Sequence, residues 1–100
     1  MVLKFMTQSI LVEAAKLVDG DRQRDYGDPR DDFERIATIW STLLSNKLET
    51  NLTSSEVGAM MIALKLSRAV HKNKRDNWID IAGYAHCADL CTTYTPIQYD

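Results

Sequence analysis

Thr53-Ser54-Ser55-Glu56 has the reciprocal make-up of a capping box, with a hydroxyl for the third residue's N–H and a glutamate to reach back to the cap's own N–H. Leu52 and Val57 flank it as a hydrophobic staple, so a helix is predicted from residue 54. Val57, Met60, Met61 and Leu64 then recur at helical spacing, and no proline interrupts the run to residue 71. One fixed helix constrains its neighbours, because a helix with an apolar stripe must bury that stripe against something.

The other breakers divide the chain into pieces of matching size. Ile10, Leu11, Ala14, Leu17 and Val18 predict a helix over about 8–19, capped by Thr7 or Ser9 and ended by Gly20. Asp28 as cap and Pro29 at the first helical position open a second, over about 29–48, with Asp31 and Asp32 at the positive end of its dipole. Its stripe of Phe33, Ile36, Ala37, Trp40, Leu43, Leu44 and Leu48 is wide, with Trp40 as the expected anchor. Asp76 is the expected cap of a last helix, about 77–93, whose core residues would be Trp78, Ile81, Ala82, Ala85, Ala88 and Cys91 until Thr92-Thr93 and Pro96 end it. The expected fold is all-α, a single four-helix bundle-like domain over 1–100 that self-association completes, since the apolar faces exceed what one small core covers. Gly58 and the small residues Ala82, Gly83 and Ala85 predict close helix contacts.

Composition excludes several classes. A net charge of −2 does not suit general nucleic-acid binding, which needs a broad basic surface. No apolar run is long enough for a bilayer, and Met1 to Met6 lacks the apolar segment of a secretory signal, so a cytoplasmic protein is expected. Cys87 and Cys91, one helical turn apart, are expected as free thiols that pack. His71 and His86 lack the spaced partners of a zinc site, and there is no glycine-rich phosphate loop.

Three constellations remain. Arg22-Gln23-Arg24-Asp25-Tyr26-Gly27-Asp28-Pro29-Arg30 precedes a helix start, where arginines, free N–H groups and the Tyr26 ring suit a phosphate and a stacked base; it is equally an ordinary turn and cap. Asp31 and Glu34 are spaced i, i+3, as are Asn77 and Asp80, with Asp76 adjacent, and such pairs on facing helices suit Mg²⁺. Alternatively, Asp31 serves its helix start and Asp80 pairs with Lys65 or Arg68. Those two cations, spaced i, i+3 beside an apolar stripe, are candidates for an anionic ligand, whereas Lys72, Lys74 and Arg75 read as a solvated run.

Arg24-Asp25-Tyr26-Gly27-Asp28-Pro29, Phe33-Glu34-Arg35-Ile36-Ala37, Met60-Met61 with Lys65-x-x-Arg68, and Asp76-Asn77-Trp78-x-Asp80-x-Ala82-Gly83-Tyr84 together resemble a family of small, mostly phage-encoded helical proteins of unassigned function. The resemblance runs from about Leu11 to Leu90 and sets the expected location as the bacterial host cytoplasm. More distantly the chain is similar to MazG-like all-α nucleoside triphosphate pyrophosphohydrolases, in which Glu-x-x-Glu and Glu-x-x-Asp pairs hold magnesium and subunits assemble into dimers or larger oligomers. Asp31-x-x-Glu34 and Asn77-x-x-Asp80 would correspond here, one carboxylate short because of Asn77.

That resemblance implies a Mg-dependent nucleotide phosphoanhydride hydrolase, with Asp31, Glu34, Asp76 and Asp80 as metal ligands and Glu34 and Asp80 also catalytic. Arg24, Tyr26, Lys65, Arg68 and Tyr84 would bind the nucleotide. The alternatives are a non-catalytic sponge for a nucleotide or cyclic-nucleotide immune signal, and a helical oligomer that binds a protein partner.

Overall fold

The computed structural model describes residues 8–92, and among these every regular element is helical. The chain runs through α1 (Ile10–Lys16), a π-helical turn (Leu17–Asp21), α2 (Arg22–Tyr26), α3 (Pro29–Leu43), α4 (Ser54–His71) and α5 (Arg75–Thr92). The first three are one continuous rod, which gives the four-helix, all-α architecture expected from the sequence. Thr7, Met1 to Met6, Thr93 and Pro96 lie outside the described residues.

The helix starts follow local chemistry closely. Glu56 N–H donates to Thr53 Oγ1 at 3.2 Å while Thr53 N–H donates to Glu56 Oε1 at 2.9 Å, completing the capping box. Asp28 Oδ1 accepts from Arg30 N–H at 2.9 Å with Pro29 at the first helical position, and Ser9 caps α1 through Leu11 N–H.

The helix ends differ from expectation. Gly20 does not stop the first helix: it sits in the π turn, where Arg22 N–H bonds Leu17 C=O, and the rod continues to Tyr26. The break falls at Gly27, whose φ of 82° is accessible to glycine at low cost. The next helix ends at Leu43 rather than near 48, because Leu44 leaves helical geometry (φ −103°, ψ 16°) at the end of a stretch rich in hydroxyls. Thr38 and Thr42 there donate to Glu34 and Thr38 carbonyls, bonds that weaken a helix interior. The last helix begins at Arg75, so Asp76 lies in its first turn and is not its cap.

α4 and α5 form an antiparallel hairpin, α1 packs on α5, and α3 crosses both. Val18, Phe33, Ala37, Val57 and Cys87 form the core, with Ile36, Trp40, Leu52, Met61, Tyr84 and Cys91 packed around it. Phe33, not Trp40, is the fully buried aromatic. Gly58 permits the tightest approach: a Cβ there would lie 2.6 Å from Ala88 Cβ and 3.4 Å from Phe33 Cε2. Burial holds the Cys87 thiol neutral, raising its pKa to about 11, which fits a packing role. Several expected core residues are outside: Leu11, Leu17, Leu43, Leu44, Met60, Leu64, Trp78 and Ala85 are exposed, as the predicted stripes wrap further round their helices than one core reaches.

Candidate functional site

Arg22 organises the most concentrated chemistry in the molecule. As the first residue after the π turn, it is directed back across the end of α3. Its guanidinium carbon lies 5.1 Å from the Tyr26 ring centroid, 5.0 Å from that of Tyr84 and 6.0 Å from that of Phe33. Tyr26 follows at i+4 on the same helix face, and Tyr84 comes from α5, tilted against Phe33 with centroids 6.3 Å apart. A cation held over ring faces gains from their negative quadrupoles, more so when partly shielded from water. Asp32 adds a salt bridge at 3.7 Å, with only 23% of the Arg22 and 15% of the Asp32 side chain exposed.

Beside this stack lies a half-open hollow of about 210 Å³. Leu17, Ile79 and Gly83 make an apolar floor, Tyr26 and Tyr84 an aromatic wall, and Asp21, Asp25 and Asp80 a polar edge. Asp80 Oδ2 pairs with Lys65 Nζ at 2.9 Å, which brings the α4 cation to the same neighbourhood. Tyr26 remains 58% exposed, so one ring is available to a ligand at the mouth.

Of the residues selected from sequence, Tyr26, Tyr84 and Asp80 line this hollow and Lys65 adjoins it. Arg24 does not: it points outward and pairs with Asp21. Arg68 borders a separate shallow depression with His71, Lys72 and Asn77. Glu34 faces the far side of α3, where a larger hollow of about 750 Å³ is lined by hydroxyls including Thr38, Ser41 and Ser45. Asp31 and Asp76 are exposed. Among the described residues no group of three or more His, Cys, Asp or Glu is placed to hold a metal ion, so Asp31, Glu34, Asp76 and Asp80 do not gather into one site. Glu34 and Asp80 line different hollows.

Sequence reasoning held Arg22 only as part of the segment before the helix start, took Arg24 from that segment as the ligand-binding arginine, and missed Asp32. The i, i+4 spacing of Arg22 and Tyr26 was a usable signal, but it requires the helix to pass through Gly20. Asp32 was read only as a dipole partner, whereas it is the carboxylate of its cluster that meets Arg22, with Arg35 also 3.7 Å away.

Comparison with known proteins covers nearly all of the described residues. Residues 9–92 match the family model described as a domain of unknown function, DUF6378. The chain is 39% identical over 85 residues to the Gene 55 protein of Mycobacterium phage D29, covering 84% of this chain and 54% of that protein. It is 41% identical over 78 residues to the Gene 55 protein of Mycobacterium phage L5, covering 77% of this chain and 48% of that one. The chain thus spans about half the length of these curated relatives. No solved structure matches it. A family match across most of the chain, with two phage relatives above 30% identity, means that this chain belongs to the DUF6378 family.

Proposed function

We propose that this chain binds a nucleotide or a nucleotide-derived small molecule at the Arg22–Tyr26–Tyr84 hollow, in the bacterial cytoplasm, and retains it without turnover. The observation that carries this reading is the guanidinium held about 5 Å from two tyrosine rings, one of them largely exposed. Aromatic rings stack any base, and a guanidinium stacks or pairs with phosphate. The hollow is smaller than the roughly 300–1,000 Å³ of sites that enclose a whole ligand. It therefore takes the base, and the phosphates lie outside it toward Arg22 and Lys65.

A second reading is hydrolysis of a phosphoanhydride, as the MazG-like resemblance implies. Asp80 on the edge of the same hollow, 2.9 Å from Lys65, favours it. In that reading Mg²⁺ would draw on Asp80, and the set Asp31, Glu34, Asp76 and Asp80 would have to be completed from a second copy of the chain.

Calorimetric titration with a nucleotide panel including cyclic dinucleotides, each with and without Mg²⁺ and with product followed chromatographically, separates the readings. Metal-independent binding without product, weakened at least tenfold by Arg22→Ala, supports retention. Product only with Mg²⁺, lost in Asp80→Asn, replaces retention by hydrolysis. No binding by any member of the panel overturns the site.

A further inference from the structure

α4 carries a second apolar surface, opposite the one that packs on α5. Ala59, Ala63 and Ser67 follow one another at i, i+4 and i+8 along its outward side. Met60 and Leu64 flank this line on one side, Leu66 and Val70 on the other, with 42%, 40%, 44% and 89% of each exposed. The two charged residues within this stretch lie off the strip: Lys65 turns inward to Asp80, and Arg68 borders the depression near Asn77. A helix that is apolar on nearly all sides is normally covered on nearly all sides. Among the described residues no helix, α4 included, is long and apolar enough to cross a membrane.

The charges at the two ends of the strip say what covers it. Glu56 stands at its N-terminal end, exposed; Lys72 and Lys74 stand at its C-terminal end, also exposed. A surface acidic at one end and basic at the other complements a copy of itself turned end for end, and clashes with a copy laid parallel. The same antiparallel arrangement sets the positive end of each helix dipole beside the negative end of the other. The small side chains of Ala59, Ala63 and Ser67 leave room between Met60, Leu64 and Leu66 for the ridges of an identical helix.

We propose that this strip is the contact between two copies of the chain, packed α4 against α4, antiparallel about a two-fold axis near Ala63. The contact is isologous and closes at two subunits. It is independent of the ligand proposal, since no residue of the strip lines the Arg22 hollow.

Sedimentation equilibrium of the full chain tests it. The wild type is expected to be a dimer in the micromolar range. Ala63→Glu places a carboxylate in the centre of the contact and weakens dimerisation by about 100-fold, with the helical circular dichroism and cooperative melting retained. Lys72→Glu combined with Lys74→Glu, at positions that leave the fold unaffected, weakens it about tenfold at low salt and less at high salt. A monomeric wild type, open-ended assembly or a dimer indifferent to Ala63→Glu overturns the contact. A dimer indifferent to the lysine replacements overturns the antiparallel arrangement and so the proposal.

Discussion

Two hollows of opposite character lie on different sides of the molecule, one between the first helical rod and α5, the other along the Glu34 side of α3. On the Arg22 side the space is small, about 210 Å³, and the groups around it converge: one guanidinium, two tyrosine rings and an edge of three carboxylates. On the Glu34 side the space is more than three times larger, about 750 Å³, and lined by hydroxyls. Those hydroxyls already have duties. Thr38 and Thr42 donate to carbonyls one turn back, and Ser41 Oγ accepts from Leu52 N–H at 2.8 Å, tying the loop before α4 to α3. Volume alone therefore misdirects the search for a site. Chemistry that is held in place while a ring face stays open is the better guide.

The largest effect is expected from Arg22→Ala. It removes the cation shared by three rings and leaves the mostly buried Asp32 with only the 3.7 Å contact to Arg35. Loss of ligand binding by at least tenfold is expected, together with about 2 kcal/mol of stability in urea denaturation. Glu34→Ala, exposed and beside the hydroxyl-lined hollow of α3, should change stability by no more than about 0.5 kcal/mol and leave binding intact. Equal losses in the two variants would break the distinction between the sides.

Ser41→Ala sharpens it. Leu52 N–H loses its acceptor in a half-buried setting, which costs about 1–2 kcal/mol. Chemical denaturation should register that loss while the calorimetric affinity stays at the wild-type value. A matching drop in affinity would bring the hydroxyl-lined hollow into the binding site.

The contrast between these sides also explains what was readable from the residues alone. Capping at Asp28 and at Thr53 with Glu56 was legible because each motif closes within four residues. The staple Leu52 and Val57, the close approach at Gly58 and the packing role of Cys87 were legible for similar reasons: residue type and spacing fix them. Arg22 was not, because Gly20 reads as a helix stop that leaves Arg22 in a connection, whereas the π turn carries the helix through Gly20 and on to Tyr26. Choosing Asp32 over Asp31 required knowing where Phe33 inserts, which depends on α4 and α5. The pair Asp31 and Glu34 does share a face, as its spacing implies, but that face turns from Asp80. Leu43 and Leu44 read as core because the stripe continues through them, while the chain leaves the helix there.

The smallest effect concerns the start of α3. Arg30 donates to Asp28 through Nε at 3.0 Å and Nη2 at 2.6 Å, and with the backbone N–H of Arg30 this holds the Asp28 carboxyl below its ordinary pKa, against a smaller opposing push from burial. In the acid range the unfolded chain then binds the more protons, so the stabilisation is complete above the unfolded value near pH 4 and disappears as pH falls through the native one. Asp28→Asn keeps an oxygen to cap Arg30 N–H but removes the charge. Both side chains are about one-third exposed, so the deficit at neutral pH should stay below about 1 kcal/mol. Urea midpoints of wild type and variant measured from pH 7 downward should converge once the pH has fallen through the lowered native value of Asp28. A deficit that persists there would assign the loss to cap geometry, and the start of α3 would then be held by hydrogen bonding alone, with no contribution from the ion pair.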